Sequence, residues 1–543
     1  MQPAMTPQEI SNLQAAVELA IKHIIKEGCD DIFKPPTFSE SIEHQLIKYH
    51  HAEFKKIATK ECMAFIKSGD LTVKKIGQIQ ETLVIKDEFT FRKASWIDPF
   101  DLVKFLACAL LIFPEIEAAR IPIEKNVVHS HRRSNDNTAI FDSEFGYKSF
   151  RKRSGELTRE NRGKWKVITD LASFFDRIGN HPLENHLLNV KCNPHYVKII
   201  KEILFFWAGD RRSFGVPVGS DASRILSEAI LTNVDNEMVK GNSIYIRYVD
   251  DIRIICESRS HAHEEIRRLT ELLADEGLSL NSKKTKIYQI GEIDEESRHE
   301  PEQTHDFSHQ PIDTEAVQEI PILMRVSGRS SISKFYRYPG KEALAELKKI
   351  DKDNLISSIK GSEENTVEEL IKKSVKYFIH IDPDVSILEA LLSRKLTSIF
   401  YIVDAIAKEH KRFTPELKKK IAQVCLERVD YKASAYPFKV PLLRLCAIDG
   451  FENSAILTYI LDNHKISDNI LFMREAIVLS GHLLERARLR SLASQQFRSV
   501  PALVQRAIFD LIVRTKNLTQ EEKRPLIKNM LRATDDWFIA KMG

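Results

Sequence analysis

Three aspartates in this chain stand where they could act together. Asp250 and Asp251 lie side by side in "SIYIRYVDDIRIIC", residues 243–256, between two runs of alternating apolar residues. Asp170 closes the run "KWKVITD". The Asp-Asp pair alone decides nothing, because Asp30-Asp31 and Asp535-Asp536 also occur, and the polar tip of a surface hairpin explains it equally well. In a strand ending at Asp170, Trp165, Val167 and Thr169 face one way and Lys166, Ile168 and Asp170 the other. Two strands that each end in aspartate would bring three carboxylates together, which is costly unless cations compensate the charge. A pair of Mg²⁺ ions roughly 3.5–4 Å apart would do so, one lowering the pKa of an attacking hydroxyl and the other stabilising a leaving pyrophosphate. That is the two-metal arrangement of nucleotidyl transfer.

The elements that must position these residues can be read from periodicity. Between about 121 and 290, short β-like runs ("KWKVITD", "SIYIRYV", "IRIIC") alternate with helical patterns, which predicts an α+β domain with SIYIRYV and IRIIC as an antiparallel hairpin. Before it, residues 1–120 read as mostly helical. Thr6, Pro7 and Glu9 form a helix start, and Gly28 a stop. Further helices are expected over Ile42 to Lys67 and Pro99 to Ala119. The stretch 291–320 carries ten Asp or Glu against one Arg and reads as a linker or solvated insertion. Residues 336–543 fit helices of 12 to 18 residues recurring about every 20, giving helical pairs of about 40, the size of a HEAT-like repeat; without internal self-similarity, a non-repetitive bundle stays open.

Composition narrows the class. A chain of 543 residues with 43% apolar and 29% charged residues is an ordinary globular protein of several domains. The longest apolar run, "FLACALLIF" at 105–113, is far below the roughly 20 residues of a membrane span, and the N-terminus lacks a signal-peptide pattern, so a cytoplasmic protein is expected. Seven scattered cysteines lack metal-ligand spacing and read as reduced, buried thiols. The net charge of +4 announces no nucleic-acid binder by itself. The close histidine pairs His129/His131 and His261/His263 read as exposed polar residues.

Four segments, "TDLASFFDRI", "GVPVGSDASRILSEAIL", "YVDD" and "GLSLNSKKTKI", resemble palm motifs A, B, C and D of reverse transcriptases and stand in the same order. The resemblance implies a fingers/palm domain over 121–335, interrupted by the acidic insertion, with 1–120 as the N-terminal helical region of the same polymerase module. It makes Asp170 and Asp250 metal ligands and Asp251 the third carboxylate, with two Mg²⁺ ions, or Mn²⁺, as cofactor. Phe175 matches the aromatic gate that rejects a ribose 2′-OH, so dNTPs are the expected substrates; Phe174 reads as a core aromatic. Gly215, Pro217 and Gly219 give a bent loop that lets backbone approach the nucleotide. Lys284 matches the lysine that protonates departing pyrophosphate, although Lys283 and Lys286 beside it leave a solvated basic turn open. Upstream, "GYKSFRKRSGELTRENRGKWK" holds eight Lys or Arg against two Glu. Arg151, Lys152 and Arg153 are candidates to grip the triphosphate, or simply form a solvated loop.

Two departures refine the resemblance. Val218 stands where ordinary reverse transcriptases carry glutamine, and no primer-grip motif is recognisable between Tyr288 and Gly340. A palm of this kind, with N-terminal helices and a C-terminal helical array, resembles the abortive-infection (Abi) polymerases, AbiK-like members of the defence-associated bacterial reverse transcriptases. That family implies phage defence, a homo-oligomer held partly by its helical arrays, and template-independent synthesis of single-stranded DNA. The first nucleotide would be joined to a protein hydroxyl, leaving the product covalently attached. Tyr49, the only tyrosine before the fingers, is the candidate primer; a half-buried helix tyrosine is the plainer reading, and Tyr147, Tyr336 and Tyr338 are other options. A templated polymerase of retron or group II intron type and a catalytically idle scaffold remain alternatives.

Overall fold

A computed structural model of the chain describes residues 5–29, 41–68, 76–85, 90–136, 138–209, 213–291, 336, 338–361, 367–463 and 469–543. The acidic stretch beyond Gly291, and the region in which a primer-grip motif was sought, lie outside the described residues up to Tyr336. Contacts divide the chain into two compact units. The first comprises Met1–Asp31, Ile47–Ile79 and Ser95–Pro311, and the second Ile32–Leu46, Gln80–Ala94 and Ile312–Gly543.

In chain order the N-terminal half forms α1 (Pro7–Glu27), α2 (Ile42–Tyr49), α3 (His51–Ser68), β1 (Gln80–Ile85), β2 (Phe91–Trp96) and α4 (Pro99–Ala119). It continues with α5 (Tyr147–Glu160), β3 (Trp165–Asp170), α6 (Phe174–Arg177), α7 (Asn180–Asn189), α8 (Pro194–Ala208) and α9 (Asp221–Met238). The hairpin strands β4 (Ile244–Tyr248) and β5 (Asp251–Cys256), then α10 (Arg259–Asp275) and β6 (Lys286–Gln289), complete it.

The capping signals are realised. The Thr6 hydroxyl accepts from the Glu9 amide at 3.2 Å, the Glu9 carboxylate accepts from the Thr6 amide at 2.7 Å, and Gly28 ends α1 at φ 100°. Helix α4 is apolar on nearly every side, so it cannot lie on a surface; α1, α3, α8 and α9 all pack on it. The helix expected over Ile42 to Lys67 is two helices broken at His50. Tyr49, His50 and His51 are three consecutive residues of weak helix propensity, and no Gly or Pro announces the break.

One antiparallel sheet, in the order β4-β5-β3-β6, organises the first unit. In β3, Val167 and Thr169 are buried on one face; Lys166 on the other is fully buried too. The Lys166 ammonium donates to Ser154 Oγ (3.0 Å) and Thr158 Oγ1 (2.8 Å), which pins α5 across the strand. Phe150 and Leu157 of α5 fill the space above Ile246 and Ile255.

In the second unit, helices of 6 to 15 residues run from Lys341–Leu347 to Trp537–Met542. From Lys352–Gly361 onward, each of several helices packs on the one two places further along: Val385–Arg394 on Pro415–Val429, Ser398–Glu409 on Tyr436–Cys446, Ile470–Ser480 on Ala502–Arg514. They share one continuous apolar core. Glu43, fully buried, lies here against Arg474 (2.8 Å) and Arg506 (3.5 Å). All seven cysteines of the chain are buried free thiols, as their spacing predicted. No described helix is long and apolar enough to cross a membrane.

Candidate active site

Strand pairing brings the three aspartates together. In the β3–β5 register Asp170 stands opposite Asp251, and Asp251 is also opposite Tyr248 across the hairpin. Asp250 occupies the turn between β4 and β5, and its carbonyl accepts from the Leu171 amide at 3.2 Å. Val249, just before it, adopts φ 53°, a left-handed conformation uncommon for a β-branched residue. Asp170 is 6% exposed, while Asp250 and Asp251 are half-buried.

The electrostatics follow from this crowding. Burial, and then the charges of Asp170 and Asp251, push the Asp250 carboxyl up to about 8. Burial also raises Asp251, against the opposing pull of Arg253, whose Nη1 is 3.8 Å from Asp251 Oδ1. Lys284 Nζ lies 2.8 Å from Asp170 Oδ2. Its neighbours Lys283 and Lys286 are exposed and Lys284 is half-buried, so the basic turn is resolved into one lysine on the aspartates and two in solvent. Among the described residues, no cluster of three or more His, Cys, Asp or Glu closes round a metal by itself.

Motifs A and B are joined through backbone. The Gly215 amide donates to Ile178 O (2.8 Å), the Val216 amide to Phe175 O (3.0 Å) and the Asn180 amide to Ser213 O (3.0 Å). Gly215 and Gly219 sit at φ 95° and 112°, where a Cβ would be strained. Phe175 is half-buried with its ring 5.3 Å from that of Phe174, which is a core residue as expected. Ser220 caps α9, accepting from the Ser223 amide.

The basic run 151–153 is helical, on α5. Arg151 contributes positive charge that lowers Asp251, Lys152 is exposed, and Arg153 pairs with Glu156 at 3.5 Å. The structure therefore separates three residues that sequence could not rank. Tyr49 is 76% exposed on α2, with its ring edge-on to His50, so it is not the half-buried helix tyrosine of the plainer reading.

Several contributors escaped the sequence reading. Asn281 binds Asp170 twice, its amide donating to Asp170 O (2.7 Å) and its Nδ2 to Asp170 Oδ2 (3.3 Å). Arg253 lies over the Phe150 ring at 5.3 Å. His129 and His131 are not surface residues. His129 is 1% exposed, 3.1 Å from Ser149 Oγ, and burial holds it down to about 4. His131 meets Glu228 at 3.1 Å. The available signal was a charged residue inside an apolar strand, Arg247 in "IYIRYV" and Arg253 in "IRIIC".

Residues 127–320 match the family model described as reverse transcriptase (RNA-dependent DNA polymerase). This segment is a reverse transcriptase domain. It carries a nucleotidyltransferase activity, and it contains every residue just described around the aspartates. No curated protein matches the chain. Solved structures similar to it include telomerase from Candida albicans in complex with a TWJ fragment of telomeric RNA, at 13% identity and TM-score 0.29, covering 68% of this chain and 66% of that one. Apo telomerase from Candida tropicalis is similar at 10% identity and TM-score 0.32, covering 73% of each chain. The reverse transcriptase domain thus rests on the family match and on the geometry of β3, β4 and β5.

Proposed function

We propose that the chain is an antiphage polymerase of the abortive-infection kind, which adds deoxynucleotides to a hydroxyl of its own without a template. The observation that carries its chemistry is the opposition of Asp170 and Asp251 with Asp250 in the adjoining turn. Three hard oxygen donors, of which one carboxyl is raised to about 8 by burial and then by the charges of the other two, suit a divalent cation. Mg²⁺ is characteristically held by one or two carboxylates plus substrate phosphates, so a site that no protein cage closes by itself fits this ion.

Asp170 and Asp250 would hold two Mg²⁺, or Mn²⁺, with Asp251 at the margin. When bound, the ions lower the pKa of the attacking hydroxyl and neutralise charge on the phosphates. The chain's own groups do the rest. Arg151 of α5 draws the triphosphate toward the aspartates, and Asn281 and Lys284 orient Asp170 before substrate arrives. Phe175 lies under the sugar and excludes a 2′-OH, while the open backbone at Gly219 admits the nucleotide. The hydroxyl releases its proton to solvent as its oxygen bonds to the α-phosphorus, the bond from that phosphorus to the α–β bridging oxygen breaks, and Lys284 gives a proton to the departing pyrophosphate.

Template independence draws support from Val218. Its apolar side chain can neither hydrogen-bond a nucleotide sugar nor position a templating pair, and its carbonyl is engaged by the Ser95 amide at 3.5 Å. The alternate stacking of helices in the second unit supports a HEAT-like array, which would serve homo-oligomer formation in the cytoplasm. Tyr49, exposed enough to present its hydroxyl, is the candidate primer. The test is a denaturing gel of the purified protein before and after DNase. A mobility shift shows covalently attached DNA, and an unchanged band in protein that copies a primed RNA template favours the templated reading.

A further inference from the structure

Arg247 is the most heavily engaged side chain near the aspartates, yet it touches none of them. It is fully buried, and all five of its guanidinium hydrogens have acceptors. Nε donates to Asp235 Oδ1 (2.8 Å), Nη2 to Asp235 Oδ2 (2.6 Å) and Glu228 Oε2 (2.9 Å), and Nη1 to Ser130 Oγ (3.4 Å) and Val249 O (2.9 Å). Asp235 and Glu228 belong to α9, the helix that leaves the Gly215–Gly219 loop. The Val249 carbonyl belongs to the turn that presents Asp250. One side chain therefore ties the helix behind the nucleotide loop to the residue preceding Asp250.

The tie is rigid on its other sides. Glu228 also accepts from Arg120 (3.0 Å) and meets His131, Asp235 accepts from the Tyr245 hydroxyl (2.8 Å), and Arg120 and Arg132 share Glu117. Three guanidinium groups thus face three carboxylates, and the cluster is charge-balanced where it is buried. The strand carrying Arg247 is fixed as well, with its amide bonded to Val127 O and its carbonyl to the His129 amide, both at 2.9 Å. Within this frame Val249 is a β-branched residue held at φ 53°, in left-handed backbone that His131 of the same cluster shares at φ 45°. Such a conformation persists only when its surroundings hold it, and the Arg247–Val249 bond is the contact placed to do so.

We propose that Arg247 is a positioning residue for nucleotidyl transfer: by holding the Val249 carbonyl it sets the Asp250 carboxylate beside that of Asp170 before metal or nucleotide binds. This rests on the reading of Asp250 as a metal-holding carboxylate. Arginine is required because lysine can satisfy Asp235 and Glu228 but has no planar fork to reach the turn at the same time.

The test compares wild-type protein with Arg247→Lys, Arg247→Lys/Val249→Gly and Val249→Gly. Mn²⁺ affinity is read by electron paramagnetic resonance, and kcat and KM are measured separately. Arg247→Lys should weaken Mn²⁺ binding and lower kcat by about 10- to 100-fold, the range for groups that orient metal ligands, with KM for dNTP within about twofold. Adding Val249→Gly should recover a large part of both losses, because glycine adopts φ 53° without needing to be held. Should Arg247→Lys not fold, the turn is read in the metal-free wild type by hydrogen exchange at the Leu171 amide, which bonds the Asp250 carbonyl. Protection matching that of β3 supports a preset turn, and exchange at the rate of an open loop overturns it. Equal Mn²⁺ affinity in wild type and Arg247→Lys, or no recovery with Val249→Gly, overturns the positioning role alone. Absence of Mn²⁺ binding by wild-type protein overturns the metal reading of Asp250 together with it.

Discussion

Lys284 Nζ stands 2.8 Å from Asp170 Oδ2, and this contact joins the last of the four motifs to the first. It places a proton donor at the one aspartate that two other groups, the Asn281 amide and Asn281 Nδ2, also fix. Replacing Lys284 with alanine should lower kcat about 10²-fold while leaving KM for dNTP nearly unchanged, as expected for a group acting in the proton-transfer step. Steady-state incorporation of labelled nucleotide checks this.

Asp250 combines catalytic need with structural cost. Because burial, Asp170 and Asp251 all disfavour its charge, Asp250→Asn should abolish incorporation yet raise the melting temperature of the metal-free protein by about 2–4 °C, corresponding to ~1 kcal/mol. Mg²⁺ should raise the melting temperature of wild-type protein and not of the variant. Differential scanning calorimetry with and without Mg²⁺ measures both.

Phe175 is half-buried, with its backbone carbonyl held by the Val216 amide, so its ring can be shortened without unlinking motifs A and B. Phe175→Val should admit ribonucleotides, reducing the preference for dNTP over NTP by about 10- to 200-fold, the scale on which pocket volume discriminates. Competition between the two nucleotide classes reads the ratio.

Of Arg151, Lys152 and Arg153 on α5, Arg151 is the one whose positive charge is seen to act on Asp251. Arg151→Ala should raise KM for dNTP about tenfold, a loss of about 1.4 kcal/mol, whereas the exposed Lys152→Ala should change it less than twofold. Nucleotide titrations of the two variants side by side test the ranking.

Glu228 gives the pH dependence. It is buried, and although burial alone would raise its carboxyl, Arg247 and Arg120 hold it well below the ordinary carboxylate range. A lowered folded-state value means that the unfolded chain takes up a proton first. The stabilisation from Glu228 is thus complete above about pH 4.5 and is lost as pH falls further toward the lowered value. Glu228→Gln should cost about 3–5 kcal/mol at pH 7, the scale for breaking a buried ion pair, and the gap to wild type should shrink below pH 4.5. Urea unfolding at several pH values checks the sign.

Local chemistry was legible in the sequence; long-range chemistry was not. Alternation around Asp250 gave the hairpin, capping residues gave α1, and an apolar helical run gave α4, because each signal lies within or beside the element it sets. The three aspartates could be grouped because Asp170 and Asp251 sit at strand ends and Asp250 directly beside one. His129 and His131 looked like surface residues because their partners, Ser149 and Glu228, lie 20 and 97 positions away. Segments 32–46 and 80–94 join the second unit through contacts such as Thr82 with Asn469, which no periodicity encodes. Arg247 and Arg253 interrupted apolar strands visibly, but only the fold reveals that one reaches Val249 and the other Asp251.

The central claim, that this site joins deoxynucleotides to the protein itself, is tested most directly by incubating purified protein with labelled dNTPs and Mg²⁺ in the absence of nucleic acid. Label should remain with the polypeptide through denaturation, be removed by DNase apart from the first linkage, and be absent from Asp250→Ala. Failure to label, in protein that efficiently extends a primer on an RNA template, would contradict it.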